Sequence, residues 1–385
     1  MPKLGIVSEY FYPLLGGITE NVYNSAIRLA ARGWEVKLIT SNLSNLSDGK
    51  VQAPSKPWLE GEPHLDIIPV GRSVPIYANG SWGRFSIGLN LISELKKIFR
   101  EEKFDLIHIH SPLVPTLPYL ALRLSKAPLI GTFHTYFDNN FFHNILYGLL
   151  KGRLQKDLNK LSRQIFVSRS CIMPLAKYFE LKPIILPNGV DTMEFSPEVP
   201  PLKKFTRDKL NLLFVGRFDP RNGLDIMLEA FNLIKAEFKE VRLIVVGGPV
   251  KKKYLNLVKP EFREDVHFEG PVLKERPNYY ASADIFCSPV DKASFGITLL
   301  EAMASGKPIV ATENVGYNDL LEPEESIVVA RKSSRALAEA VLSLLRDDLL
   351  RKKMGEAGRE KALKYSWEAI VPQLEQIYLE VLGAK

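Results

Sequence analysis

Residues 3–40 read KLGIVSEYFYPLLGGITENVYNSAIRLAARGWEVKLIT, and the fold is read outward from them. Residues 4–8 form a short apolar run of the kind buried on both faces of a parallel sheet. Tyr12-Pro13-Leu14-Leu15-Gly16-Gly17 is a loop signal. Thr19 is placed to cap the helix that follows, with Glu20 and Asn21 in its first turn. Val22, Ala26, Leu29 and Ala30 recur at helical spacing, Gly33 ends the helix, and residues 36–40 make the next strand. Strand, glycine loop, helix and strand form a β-α-β unit, so the sheet is expected to be parallel and the chain to be α/β.

Further strand patterns fall at 65–70, 104–110, 128–134, 164–167 and 184–187, while 41–64 and 71–86 read as loop-rich. Composition then shifts. Ser196-Pro197-Glu198-Val199-Pro200-Pro201-Leu202-Lys203-Lys204 is proline-rich and charged, the pattern of a stiff linker, placed at 196–206. Beyond it the same grammar restarts, with strands at 210–215, 241–246, 266–269, 284–288, 308–312 and 327–330. Helices are expected at 224–238 and near 251–259, 276–282, 297–305 and 335–346. The expected organisation is a first domain over 1–195 and a second over 207–366. A final helix over about 367–385 is expected to pack back on the first domain.

The 385 residues suffice for two such cores. Fifty-one Lys and Arg against 44 Asp and Glu give a formal charge of +7, which favours anionic partners such as nucleotides or anionic lipid. The basic residues are spread out and no motif that reads RNA or DNA occurs, so no nucleic acid is expected. Two cysteines, Cys171 and Cys287, cannot build a disulfide framework. No stretch reaches the ~20 apolar residues of a membrane span, and Met1-Pro2-Lys3 runs straight into a strand without a cleavage signal. The expectation is a cytoplasmic protein.

Four segments carry chemistry. Gly16-Gly17 before a helix lets a ligand approach backbone N–H groups at the positive end of the helix dipole, although a lone Gly-Gly is as often a tight turn. Ser294-Phe295-Gly296-Ile297 opens another helix at a strand end, with Glu301 one turn in among Leu299, Leu300, Ala302 and Met303. A carboxylate there needs a partner or a ligand, such as a ribose diol. Arg217, in Gly216-Arg217-Phe218-Asp219, is suited to a diphosphate or to an ordinary pair with Asp219. In Leu106-Ile107-His108-Ile109-His110-Ser111-Pro112, strand alternation puts both histidines on one face, His110 at the end where ligands bind. A metal pair is the first alternative, but no third ligand is evident in sequence, and no metal is expected.

Together these segments resemble the retaining glycosyltransferases of family 4. The resemblance is strongest in Ser294-Phe295-Gly296-Ile297 through Leu300-Glu301-Ala302-Met303-Ala304-Ser305-Gly306 and in Pro187-Asn188-Gly189-Val190-Asp191. Within the family the chain looks most like the phosphatidylinositol mannosyltransferase branch. Gly71-Arg72-Ser73-Val74-Pro75-Ile76 with Asn79-Gly80-Ser81, Gly131-Thr132-Phe133-His134-Thr135, and the His108 and Arg217 segments carry that likeness. The resemblance implies the GT-B fold, two Rossmann-like domains facing each other across a deep cleft. It implies a hexosyltransferase moving mannose from GDP-mannose to a lipid-linked or inositol-type hydroxyl, with no cofactor besides the nucleotide-sugar donor. The N-terminal domain would take the acceptor and the C-terminal domain the donor.

By the same resemblance, His110 would contact the donor hexose, Arg217 the diphosphate and Glu301 the ribose. Gly16 and Gly17 would touch the diphosphate or sugar, Ser294, Phe295, Gly296 and Ile297 the sugar and phosphates, and Val272 the base. Two positions depart from the family. Ala293 stands where it has a hexose-binding Glu, and Asn222 where it has a diphosphate-binding Lys; Asp291 and Lys292 are near enough to compensate for the first and Arg221 for the second. Retaining hydrolases use two carboxylates about 5 Å apart. No second carboxylate is identifiable beside Glu301, so a same-face reaction fits, in which a leaving-phosphate oxygen takes the acceptor proton. A UDP- or ADP-hexose donor with a glycan acceptor stays open, as does a catalytically weak sugar-nucleotide-binding protein. A pyridoxal-phosphate phosphorylase of the same fold would need a cofactor lysine, and nothing marks Lys307 as one. Phe141, Phe142, Ile145, Leu146, Leu149 and Leu150 beside Lys151, Arg153, Lys156, Lys160 and Arg163 suit an anionic membrane surface, on the inner face of the cell membrane, or an ordinary packed helix with a solvated basic face.

Overall fold

A computed structural model describes residues 1–43, 65–78, 81–138, 141–205, 208–248 and 252–383. Of the regions read as loop-rich or linker, residues 44–64, 79–80 and 206–207 lie outside the described ones. The chain divides into two compact units, 1–188 with 370–385, and 189–369.

The first unit runs β1 (Lys3–Ser8), α1 (Gly17–Ala31), β2 (Glu35–Ser41), β3 (Asp66–Val70), β4 (Arg72–Ala78), β5 (Ser81–Ile87), α2 (Leu91–Glu102), β6 (Leu106–His110), α3 (Leu117–Leu124), β7 (Leu129–Phe133), α4 (Phe141–Leu158), β8 (Leu161–Phe166), α5 (Arg169–Ala176) and β9 (Pro183–Ile185). Seven strands form a parallel sheet in the order β3-β2-β1-β6-β7-β8-β9. β1 is central, pairing Leu4 with Val36 on one side and with Leu106 on the other. That position explains its unbroken apolar run, since helices cover both faces. Gly5 lets the Phe104 ring pack close to β1, since a Cβ there would stand 3.1 Å from it.

Two expectations are corrected. α1 starts at Gly17 with Gly16 at its N-cap, and the Glu20 N–H bonds back to Gly16 O, so Thr19 lies inside the first turn rather than capping it. Residues 72–78 and 81–87 are not loop but an antiparallel hairpin, pairing Arg72 with Ile87 and Val74 with Phe85. Asn79 and Gly80, which follow β4 in sequence, lie outside the described residues.

The second unit runs β10 (Leu210–Val215), α6 (Leu224–Glu237), β11 (Val241–Val246), α7 (Lys252–Leu255), β12 (Val266–Gly270), α8 (Arg276–Ser282), β13 (Ile285–Ser288), α9 (Ile297–Ala304), β14 (Ile309–Thr312), β15 (Ser326–Val329), α10 (Ser334–Leu345) and α11 (Asp348–Leu363). Its parallel sheet has the order β12-β11-β10-β13-β14-β15. Phe231, Leu243, Ile285 and Val341 are among the fully buried side chains of the core between the sheet and α6 and α10. The proline-rich stretch packs within this unit. Leu202 N–H donates to Ser282 Oγ, Pro200 O accepts from Asn278, and Arg359 Nη1 donates to the carbonyls of Thr192, Phe195 and Ala304. Two of the Arg359 acceptors stand just before the proline-rich stretch and the third ends α9, so one guanidinium anchors the start of a segment whose prolines cannot offer N–H groups. The last helix, α12 (Trp367–Gly383), carries residues 370–383 back into the first unit.

Candidate functional site

Each sheet has one place where the strand order reverses direction, and open α/β sheets take ligands there, beyond the carboxyl ends of the strands. In the second unit it lies between β10 and β13. Arg217, Arg221 and Asn222 follow β10, while Asp291, Ser294, Phe295, Gly296 and Ile297 follow β13. Hydrogen bonds tie the loops of this edge together in sheet order. Gly247 N–H donates to Gly270 O at 2.8 Å, Phe218 N–H to Gly248 O at 3.2 Å, Asp291 N–H to Arg221 O at 2.8 Å and Thr312 Oγ to Val290 O at 2.9 Å. Two glycines permit this crowding. Gly247, at φ +139°, would put a Cβ 1.8 Å from Gly216 O, and Gly223, at φ +69°, would put one 2.1 Å from Pro289 O.

Arg217 is 49% exposed, with Nε 3.4 Å from Asp219. Asn222 donates its amide to Arg217 O at 2.7 Å, so the residue standing where the family has Lys props the Arg217 loop from within. Asp291 lies 3.7 Å from both Arg331 and Lys332. Gly296 caps α9 at φ +107°, against Tyr317, and Phe295 is buried beneath the loop. Half-buried Val272 follows the turn after β12. Glu301 is 3% exposed, and its two oxygens face different partners. Arg276 Nη2 lies 3.0 Å from Oε1, and the Tyr280 hydroxyl donates to Oε2 at 2.8 Å. Arg276 is itself held with its guanidinium 5.3 Å from the Phe195 ring. A ribose diol on Glu301 would share this carboxylate with Arg276 and Tyr280. Lys307 is half-buried, its ammonium donating to Ala281 O.

In the first unit the order reverses between β1 and β6. Gly16 and Gly17, both exposed, end the loop after β1, and a Cβ on Gly16 would meet nothing within 4 Å, which leaves its backbone open to approach. His110 ends β6 and is buried. Its Nδ1 is 2.8 Å from His134 Nε2, and its ring centroid is 4.4 Å from that of His108. His108 Nδ1 is hydrogen-bonded to the Tyr378 hydroxyl and Nε2 to Thr132 Oγ, each at 2.6 Å. Burial lowers all three imidazoles, His108 and His134 to about 3 and His110 well below its ordinary range, so all are neutral at physiological pH. His134, quoted above only as part of the 131–135 segment, is thus a third histidine, brought beside His110 because β7 pairs with β6. The nitrogens of His108 and the facing pair of His110 and His134 are spent on hydrogen bonds.

Sequence reasoning also missed Glu9, which follows β1 directly and is buried at the same reversal point. Oε2 accepts from the Ser86 N–H at 2.9 Å and the Ser86 hydroxyl at 2.7 Å; Oε1 accepts from the Leu117 N–H at 3.0 Å and from the Thr116 hydroxyl. One carboxylate therefore joins the end of β1 to β5 and to the start of α3. Burial raises its pKa against the pull of these donors. The signal available in sequence was a Glu at the end of an otherwise apolar strand. Among the described residues, the one grouping with metal-ligand spacing is Glu322, Glu324 and Glu325, and Lys361 already pairs with Glu322 and Glu325.

Comparison with known proteins agrees with this geometry. The family model "Glycosyltransferase Family 4" matches residues 15–194, and "Glycosyl transferases group 1" matches 209–347. The phosphatidyl-myo-inositol mannosyltransferase of Mycobacterium leprae is 29% identical over 98% of this chain and 96% of its own. A GDP-mannose-dependent monoacylated alpha-(1-6)-phosphatidylinositol monomannoside mannosyltransferase of Corynebacterium glutamicum is 28% identical over 61% of this chain and 67% of its own. Among solved structures, sucrose-phosphate synthase of Thermosynechococcus elongatus superposes with a TM-score of 0.77 over the whole of both chains at 21% identity. Two Rossmann-like units, each with its sequence-predicted residues at the reversal point, and two family models matching one unit apiece lead to one assignment: the chain is a glycosyltransferase of family 4, an enzyme with the GT-B fold.

Proposed function

We propose that the enzyme transfers mannose from GDP-mannose to a hydroxyl of an inositol-type or lipid-linked acceptor, with retention at the anomeric carbon. The observation that carries this reading is the end-to-end similarity to the mycobacterial phosphatidyl-myo-inositol mannosyltransferase. The second unit takes the donor. Arg217 and the N–H groups around Ser294, Phe295, Gly296 and Ile297 stabilise the departing diphosphate, Val272 packs the base and Glu301 meets the ribose. The first unit takes the acceptor, with Gly16, Gly17 and His110 turned to the donor sugar. Arg221 and Asp291 supplement Asn222 and Ala293, and unchanged donor affinity and turnover in both R221A and D291A would remove that role from them.

The Glu301 carboxylate, engaged by Arg276 and Tyr280, supports a reaction without a carboxylate pair, in which a leaving-phosphate oxygen takes the acceptor proton while the protein positions both substrates. No metal is required in this scheme; activity abolished by EDTA and restored by Mg²⁺ would overturn that part.

Attachment to the inner face of the cell membrane is supported by α4. Ile145, Leu146, Leu149 and Leu150 are exposed there, Leu149 at 81%, next to exposed Lys151, Arg153 and Lys156. The side chains of Phe141 and Phe142 lie outside the described residues. Flotation with vesicles containing anionic lipid, but not with neutral vesicles, is expected. No helix among the described residues is long and apolar enough to cross a membrane.

The deciding experiment is thermal shift against GDP, UDP, ADP and their hexose conjugates, because stabilisation follows the logarithm of ligand over Kd. It is followed by turnover with the donor that binds. A shift with GDP and GDP-mannose alone is expected. A UDP or ADP preference would overturn the donor assignment. Binding without transfer to any inositol, lipid or glycan acceptor would favour a sugar-nucleotide-binding protein.

A further inference from the structure

His110 Nε2 is buried and has no hydrogen-bond partner among the described residues. Leaving a buried polar atom unpaired costs on the order of 1–3 kcal/mol, so a fold that keeps one at the ligand edge of a sheet holds an atom that a ligand can satisfy. Whether that atom is a donor or an acceptor depends on the hydrogen bond at the other side of the ring. His110 Nδ1 and His134 Nε2 are 2.8 Å apart, and burial keeps both rings neutral, so one must donate an N–H and the other accept with a lone pair. If His134 donates, His110 Nε2 carries a buried N–H with no acceptor. If His110 donates, its Nε2 carries a bare lone pair and His134 carries its N–H on Nδ1, an atom that is not among the buried unpartnered ones. Buried orphan N–H groups are the rarer of the two in folded proteins. A lone pair is also the better neighbour for a sugar carbon that gains positive charge as its leaving group departs.

We propose that His134 is a positioning residue: it accepts the Nδ1–H of His110 and thereby fixes His110 with a bare Nε2 that accepts from a hydroxyl of the bound sugar. This rests on the reading of His110 as a donor-sugar contact. His108 completes the arrangement. Both its nitrogens are held, by Tyr378 of α12 and Thr132 of β7, and its ring lies against His110. His110 therefore has little room to rotate away, and the returning helix α12 supports the end of β6 through Tyr378.

The test is two-bond ¹H–¹⁵N correlation NMR on the full chain labelled at histidine, with His110 assigned by its loss in H110Q. The expected spectrum shows a protonated-type Nδ1 and a bare-type Nε2 for His110. In H134F the proton should move to Nε2, and kcat should fall about ten- to a hundredfold, the scale typical of removing an orienting partner from a site histidine. Donor KM should stay unchanged, because the lone pair matters most in the transition state. H134Q, whose amide oxygen can accept the same N–H, should restore both tautomer and turnover. A protonated Nε2 in the unaltered protein, or an H134F spectrum in which His110 keeps its tautomer, would overturn the proposal. Should H134F fail to fold, the spectrum of the unaltered chain decides alone. The spectrum needs no donor, so the two readings fail separately. A bare Nε2 in a protein that transfers no mannose overturns the substrate assignment, whereas mannose transfer with a protonated Nε2 overturns this one.

Discussion

The Arg276–Glu301–Tyr280 cluster makes a quantitative demand on the second unit. Glu301 is 3% exposed and the Arg276 side chain 12%, so neither charge is hydrated enough to stand alone. Removing one partner of a buried ion pair leaves an uncompensated charge and costs about 3–5 kcal/mol. R276M keeps the apolar bulk over the Phe195 ring while deleting the charge, so its cost isolates the electrostatic part. For a unit of this size each kcal/mol moves the midpoint by roughly 2–4 °C, which gives a drop of about 6–20 °C in a thermal melt. Y280F removes one hydrogen bond to a charged acceptor and should cost about 1.5–3 kcal/mol. The double variant R276M/E301L removes both charges and should recover most of the loss. Calorimetry on the full chain reads all three. A fall of less than about 3 °C in R276M, or a double variant no more stable than R276M, would refute the claim that the carboxylate is ionised and dependent on Arg276.

Acid should destabilise the first unit. His108 and His134 sit near 3 when folded against 6.5 for an ordinary imidazole, so the unfolded chain binds protons that the folded one refuses. Stability is full above about pH 6.5 and declines as pH falls toward 3, by about 1.4 kcal/mol per pH unit for each histidine. Denaturant unfolding at pH 7.5 and 5 should therefore differ by about 4 kcal/mol from these two groups, and a level profile would mean that the rings stay hydrated. G223A should cost about 3 kcal/mol or more, since the new Cβ at φ +69° would stand 2.1 Å from Pro289 O; a melt within about 1 °C of the parent would show that the loop can yield. E9Q turns an amide N–H₂ toward groups that are all donors, costing about 2–3 kcal/mol. Hydrogen exchange should then speed up across β4 and β5, and unchanged exchange there would mean that Ser86 is held by something else.

The alternation of strands and helices was legible because both sheets are parallel. Their central strands are buried on both faces and so appear as unbroken apolar runs such as residues 4–8 and 241–246, bounded by glycine loops. The β4–β5 hairpin was hidden for the opposite reason. Its strands pair only with each other, carry Pro75 and Gly83, and mix exposed with half-buried side chains, so they lack an apolar signature. The proline-rich stretch 196–205 has the composition of a linker, yet composition does not record that Asn278, far along the chain, donates to the Pro200 carbonyl, or that Arg359 holds the carbonyls of Thr192 and Phe195 just before it.

The site divides along the same line. Motif residues of the second unit were readable because glycine, arginine and a helix start occur within a few positions of each other, and the strand order then gathers them at one reversal point. What sequence could not supply were the partners across the sheet. His134 lies 24 positions from His110 and Tyr378 lies 270 from His108, while Glu9 reaches Ser86 and Leu117 at separations of 77 and 108. The His110–His134 contact exists because β6 and β7 stand side by side, while the others need α12, β5 and the start of α3 packed at that end of the sheet. Asn222 shows the consequence for reading departures from a family pattern. As a lost lysine it suggests a weakened diphosphate site, but its amide holds the carbonyl of Arg217, so the same substitution braces the loop of the cation that remains. If that brace matters, N222A should disorder the Arg217 loop and weaken donor binding, whereas N222K, restoring the family residue, should bind no tighter than the parent. A tighter N222K would mean that the missing charge, and not the brace, is what this position contributes.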